Sequence, residues 1–298
     1  EHTMGDDALI PLRVFNNRVF TQGVMISVVV GAVMFGGISM LPQYFQVLRG
    51  SSPMVAGLQM LPMVLGLMTG SIISGQLISR TGRYKIFPII GSIMITVMTF
   101  LLHTVGVDTP IAIVMAYAFG LGFGLGNMMQ PIMLAMQNIL APKDMGMATG
   151  TATFFRQIGG TLGVAVFFSM LFSLMGPNIK DEMVTAAQTP EYRAAVVEAA
   201  ESDDPQVSGF AKSLIAASEN PGASSSSESV MSDTSVIEKL PPELGDPIKR
   251  GFADSMDTVF LAVSIMSILA VIGTITWREL PLRSGKPIGR PESAPAAG

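Results

Sequence analysis

Residues Leu61 to Ile90 read LPMVLGLMTGSIISGQLISRTGRYKIFPII, and this stretch constrains the fold more than any other. An uncharged apolar run ends in a short loop carrying Arg80, Arg83 and Lys85, and a second apolar run begins at once. A water-soluble amphipathic helix would show polar residues every three or four positions. A hydrocarbon core about 30 Å thick takes roughly 20 apolar residues of helix to cross, and both runs supply them. The pattern predicts helix, tight basic loop, helix across a bilayer. Short loops rich in Lys and Arg stay on the cytoplasmic side, so the loop also predicts an orientation.

The rest of the chain extends this into an all-α membrane protein with six transmembrane helices. The predicted spans run over 20–47, 54–79, 86–105, 111–140, 147–175 and 252–277. The first is longer than the hydrocarbon needs and should tilt or protrude. The organisation expected is a cytoplasmic linker (1–18), five spans (19–175), an outer acidic loop (176–250), the sixth span (251–278) and a cytoplasmic tail (279–298). One side of the membrane then holds Arg13, Arg18, Arg80, Arg83, Lys85, Lys143, Arg278, Arg283, Lys286 and Arg290, while the other holds only Arg49. Both termini are expected in the cytoplasm, the chain being multi-pass in its membrane. Tyr84 and Trp277 at the inner boundary, and Tyr44 near the outer one, read as interfacial anchors.

Residues 176–250 carry thirteen Asp and Glu against six Lys and Arg, with the low-complexity tract ASSSSESVMSDTS. Such a segment buries too little apolar surface to offset its ordering entropy, so it is expected to be largely disordered, with one amphipathic helix in EYRAAVVEAAESDD.

Composition narrows the chemistry. The chain has no cysteine, which removes disulfides and thiolate chemistry, and its two histidines belong to no cluster with metal-ligand spacing. No metal or organic cofactor is expected. Paired nucleophile, base or metal-ligand residues are absent from the spans, so an intramembrane enzyme is disfavoured and no catalytic residue is named. Nothing suggests a nucleic-acid partner. The bilayer itself is the first partner. The chain starts at Glu1 with no signal peptide before the first apolar run, and it is expected to begin inside something larger.

Small residues mark close helix approach: Gly66, Gly70 and Ser74 in the second span, Gly120, Gly122, Gly124 and Gly126 in the fourth, Gly159 and Gly163 in the fifth. GLGFGLG is not a phosphate loop, since no strand precedes it and no Lys-Ser/Thr follows. The third and sixth spans are apolar all round, which suits lipid exposure.

Polar residues inside the spans carry the functional information. Asn127, Gln130 and Gln137 fall at i, i+3 and i+10, on one face, with Leu134 interrupting the stripe and Pro131 on the adjacent turn. Gln43 and Gln46 lie near the outer end of the first span and Gln22 near its inner end. An amide in hydrocarbon must find a hydrogen-bond partner, so each faces a neighbouring helix or a wet cavity. Arg156, in TFFRQIGG, is either an inner-end anchor or an anion-facing group on a pathway. Asp254 and Asp257 stand where the sixth span is expected to start, a position for capping or for proton handling. His103 reads as an isolated interfacial side chain. The 23 methionines suit either a pliable cavity or simple comfort in lipid.

LPQYFQVLRGSSPMVAGLQMLPMVLG and then GQLISRTGRYK resemble the second half of a major facilitator superfamily transporter, more closely its fourteen-helix drug:proton antiporter branch. MGMATGTATFFRQIGGTLGVAVF resembles the penultimate helix of that branch, and PLRVFNNRVF the linker entering the second bundle. The resemblance implies a C-terminal half-bundle of two inverted three-helix repeats, with substrate held against a missing N-terminal half of six to eight helices. The first and fourth spans would line the cavity, with the third and sixth outermost. On that reading Gln43, Gln46, Asn127, Gln130, Gln137 and Arg156 are substrate-cavity residues.

GQLISRTGRYK is similar to the family's cytoplasmic G-x-L-x-D-R-x-G-R-R/K motif. Gly75, Leu77, Arg80, Gly82 and Arg83 match; Ser79 replaces the Asp, Tyr84 takes the last basic position, and Lys85 follows one residue late. The implied gating loop is therefore Gly75, Arg80, Gly82, Arg83 and Lys85. The function implied is proton-coupled export of small amphiphilic compounds, driven by the proton gradient. A same-fold exporter of one metabolite, peptide or siderophore, and a non-transporting fragment, are the alternatives. Between residues 20 and 105, and between 111 and 140, no Asp or Glu occurs in a span, so the coupling carboxylates are expected in the missing half.

Overall fold

The computed structural model describes residues 12–141, 144–219 and 240–281. Expectations resting on residues 1–11, the Arg13 side chain, Lys143, the serine-rich tract, and the tail with Arg283, Lys286 and Arg290 fall outside what is described.

A 3₁₀ turn, Leu12–Asn16, leads into α1, Arg18–Gln43. Asn17 caps α1 by accepting a bond from the Val19 amide at 2.9 Å. Pro42 lacks the amide the ladder needs, and the chain leaves α1 through one π-helical turn, Tyr44–Leu48. Helices α2 (Pro53–Gln59) and α3 (Leu61–Thr81) form the second span, broken at Met60 where Pro62 cannot donate. Gly82, at φ +70°, ends α3 in the left-handed conformation glycine tolerates, its amide bonding the Ile78 carbonyl at 2.8 Å. The remaining spans are α4 (Ile86–His103), α5 (Ile111–Ile139), α6 (Met145–Ala186) and, after α7 (Pro190–Ala200) and α8 (Pro205–Glu219), α9 (Pro242–Thr276).

Among the described residues six helices are long and apolar enough to cross a membrane, matching the expected count. α1 and α5 are the most buried, while α2 and α3 are the least. α1 packs on α6, α3 on α5, α4 on both α5 and α9, and α9 also on α6 and α1.

The two tightest of these contacts are glycine seams. A side-chain carbon at Gly31 of α1 would collide with the Arg156 carbonyl of α6, and one at Gly159 of α6 with the Val28 carbonyl of α1. Likewise Gly122 of α5 abuts the Met63 carbonyl of α3, and Gly66 of α3 abuts the Phe119 carbonyl of α5. With no hydrophobic drive between helices in lipid, such backbone contact supplies the dispersion energy that holds them.

Several expectations change. The fifth span does not stop at Met175, nor does the sixth begin at Phe252; α6 runs on to Ala186 and α9 starts at Pro242. Hydropathy marks only the part of a helix that lipid surrounds, not the polar turns beyond it. The two extensions pack together: Gly251 lies against the backbone of Asn178 and Ile179, and Asn178 Nδ2 donates to Ser255 Oγ at 3.0 Å. The segment expected to be largely disordered therefore holds helix over much of its described length. α7 is the expected amphipathic helix, burying Tyr192, Ala195 and Ala199. α8 is a second one, with Val207, Phe210 and Ala211 buried.

The third and sixth spans, α4 and α9, are apolar only on their outer faces. Their shared inner face is a seam of hydroxyls: Ser92 and Thr274 lie 3.0 Å apart, and Ser267 donates to Thr96 Oγ1 at 2.7 Å. The aromatic anchors are likewise inside the protein, with Tyr84 and Trp277 each 1% exposed and Tyr44 2%. A hydroxyl or indole N–H accepts burial once it has a partner, and each has one. Tyr84 Oη accepts from the Leu280 amide, Trp277 Nε1 donates to the Val19 carbonyl, and Tyr44 Oη lies 3.3 Å from the Gly106 carbonyl.

Candidate functional site

The α1, α5 and α6 helices converge around Arg156, about three turns into α6. Its neighbours are Ser27 and Val30 of α1, Met129, Ile132 and Met133 of α5, and Ala152 of α6, enclosing a crevice about the size of one water. Arg156 is half-buried and no side chain or carbonyl among the described residues pairs with it. The tight α1–α6 seam sets its position, because Gly31 admits the Arg156 backbone itself. A guanidinium held at this depth calls for an anion or water beside it.

The three amides of α5 do not act as one stripe. Asn127 is 3% exposed and packs between α3 and α4, its amide donating to the Phe123 carbonyl of its own helix at 2.8 Å. Gln137 reaches across to α6, donating to Thr149 Oγ1 at 2.8 Å. Gln130 alone of the three is exposed. At 100° per residue, i+3 and i+10 lie close together while position i is offset, and that offset turns Asn127 inward. Gln43 and Gln46 are half-exposed at the far end of α1, apart from the Arg156 crevice. Gln59 of α2, not singled out in the sequence, buries an Oε1 with no partner.

At the opposite end lies the loop between α3 and α4. Gly75 has open space around it, and Arg80 and Arg83 are exposed with no partner among the described residues. Lys85 is half-buried and donates its backbone amide, with that of Tyr84, to Glu279 Oε1 at 3.4 and 3.1 Å. Glu279 thus caps the start of α4 from the tail, a carboxylate at the positive end of a helix. Burial raises the Tyr84 phenol above its ordinary 10.0, with the bond from the Leu280 amide lowering it and the Glu279 charge raising it. The ring stays neutral and hydrogen-bonded beneath the free arginines.

Two carboxylate expectations change. Asp254 and Asp257 lie about three and four turns inside α9, too far along to cap it. Asp257 instead meets His103 of α4, Oδ1 to Nδ1 at 2.6 Å, so His103 is not isolated. Nothing in the sequence signals that pair, since 154 residues separate the partners. The hydroxyl seam did leave a signal: Ser92, Thr96 and Thr99 recur at helical spacing in a span counted as apolar.

A bundle of helices long and apolar enough to cross a membrane, with a basic loop at one end, defines a multi-pass membrane protein. Residues 5–164 match the Major Facilitator Superfamily, and the chain belongs to it. It is 30% identical over 275 residues, 92% of its length, to an uncharacterised transporter of this type from Mycobacterium tuberculosis, of which it covers 34%. It is 32% identical over 155 residues, 52% of its length, to a multidrug transporter protein of Bacillus subtilis, of which it covers 28%. Among solved structures, the inward-facing, unoccupied bacterial homologue of the human lysosomal transporter Spinster aligns over 91% of this chain and 51% of that one. The TM-score is 0.55 at 16% identity, which establishes the shared fold. The chain spans about a third of the length of the first of these relatives.

Proposed function

We propose that the chain forms the C-terminal half of a secondary active efflux transporter that exports amphiphilic compounds in exchange for protons by alternating access. The observation that carries this reading is Arg156, half-buried where α1, α5 and α6 meet and with no side-chain partner among the described residues. A proton-coupled exporter needs an embedded carboxylate, and here a cation waits for one. In this reading Arg156 faces an anionic group supplied across the cavity by substrate or by the partner half, and Gln130 lines the same wall.

The pairing of helices supports an inverted repeat: α1 with α6 and α5 with α3 use the same glycine device, as two copies related by a pseudo-twofold axis would. The distribution of basic residues supports cytoplasmic termini, and in this reading Arg80 and Arg83 belong to an inner gate and the α7–α8 helices lie outside.

The test is dye efflux from an efflux-deficient bacterium expressing residues 1–298 with and without a matching N-terminal half. Efflux that collapses with the proton gradient is expected only from the pair, and Arg156→Ala should abolish it while leaving the amount of assembled protein unchanged. Gradient-driven efflux by this chain alone, with no self-association detected by crosslinking, would sink the half-transporter reading.

A further inference from the structure

Between the first half of α1 and the last turns of α9 runs a groove of about 510 Å³ that the transport reading leaves unused. Arg18, Gln22, Met25 and Val29 line it from α1 at i, i+4, i+7 and i+11, which is one straight stripe along the helix. Leu269 and Gly273 line it from α9, where the absent side chain of Gly273 keeps the floor open against Ile26. Polarity falls steadily along the stripe, from guanidinium to amide to thioether to aliphatic, over roughly 16 Å of helix.

We propose that this groove binds one anionic phospholipid, its headgroup on Arg18 and Gln22 and an acyl chain lying along Met25, Val29 and Leu269. The charge fits, because Arg18 is the one ionisable side chain lining the groove and it has no partner among the described residues. Gln22 fits as well. Its amide also lacks a partner there, although it belongs to a membrane span where an amide needs one. The apolar end continues into the exposed row Ile265, Ile268, Leu269 and Ile272 of α9, a surface acyl chains can cover. The site sits at the end of the bundle shared with the Arg80–Arg83 loop; assigning it to the inner leaflet rests on the proposed orientation, whereas the binding test does not.

The chain carries its own reporter. Trp277 is the single tryptophan, its indole bonded to the Val19 carbonyl and its ring edge against Gly23, on the same helix as the stripe. The full 298-residue chain is reconstituted in phosphatidylcholine bilayers containing either dibrominated phosphatidylglycerol or, at equal mole fraction, dibrominated phosphatidylcholine. Trp277 quenching should show a roughly fivefold preference for the anionic lipid, the worth of one arginine at an anionic surface. Arg18→Gln and Gln22→Leu should each lower quenching toward the phosphatidylcholine level, while Arg278→Gln, at the same end but outside the groove, should not. Unbrominated phosphatidylglycerol should relieve the quenching in the unaltered chain, a readout that needs no variant to fold. Equal quenching by both lipids, an unchanged preference in Arg18→Gln, or relief only by a zwitterionic detergent would overturn the proposal. None of these outcomes depends on transport.

Discussion

The two glycine seams and the hydroxyl seam solve one problem by opposite means. Along α1–α6 and α3–α5 the side chains are removed until backbone touches backbone. Along α4–α9 small polar side chains remain and bond across the gap, Ser92 to Thr274 and Ser267 to Thr96. The first kind of contact has no slack, because a carbonyl cannot move aside without its helix. The second tolerates change, since a hydroxyl can turn back to a carbonyl on its own helix: the Ser264 carbonyl lies 2.7 Å from Ser267 Oγ and can take its proton in place of Thr96. The α4–α9 pair can therefore drift where the glycine-seamed pairs move as rigid units.

The largest expected effect is at the glycine seams. Gly122→Ala drives a carbon into the Met63 carbonyl and should cost about 3 kcal/mol, the upper end for overpacking, read as loss of folded yield and a lower Tm in detergent. Gly31→Ala meets the Arg156 carbonyl in the same way and should cost as much. Gly176→Ala, with open space around it, should be neutral or mildly stabilising. A large difference between Gly122 and Gly31 would break the equivalence of the two glycine seams.

Next comes the hydroxyl seam. Ser267→Ala removes a cross-helix bond of the kind worth about 0.6–1.7 kcal/mol in membranes, so its Tm shift should be well below that of Gly122→Ala. A shift of equal size would erase the distinction drawn between the seams.

The smallest effect should come from Tyr84→Phe, which removes the acceptor for the Leu280 amide but leaves the ring packed edge-on against Trp277. Its signature is in the pH dependence. Burial raises the Tyr84 phenol in the folded state, so the folded chain holds that proton more tightly than the unfolded one. The resulting stability is intact below pH 10 and is lost as pH rises from 10 through the higher folded value. A chain with Phe at this position should lose less stability over that alkaline range, followed by thermal melts at successive pH values. Identical alkaline limbs would mean the phenol is solvated.

What could be read from the sequence follows from which signals are local. Six apolar runs and the stripes Gly66–Gly70 and Gly159–Gly163 were legible, because span length and i+4 spacing are properties of a single helix. Gly82 was picked out only through the motif it resembles; the left-handed turn with which it closes α3 was not read from the sequence. Inward-facing Asn127, the Glu279 cap and the His103–Asp257 pair were not legible either. Each depends on a partner from a distant part of the chain, and no periodicity encodes that. Tyr84 misled for a different reason. An aromatic beside a span end looks the same in sequence whether it rests among lipid headgroups or under the tail of the last helix.

α6 has a mechanical consequence of its own. Its 42 residues make a rod of roughly 63 Å, about twice the hydrocarbon thickness. Pivoted at one end, a tilt of about 5° swings the other by roughly 5 Å. The glycine seam fastens this rod to α1 near Arg156, and α7 follows directly from its far tip. Pro177 is the one proline along its length, the single joint where bending would absorb the swing. The α6 helix is thus a lever seamed to α1 near Arg156, and a rocking motion about that seam would be magnified at its far tip, where α7 follows.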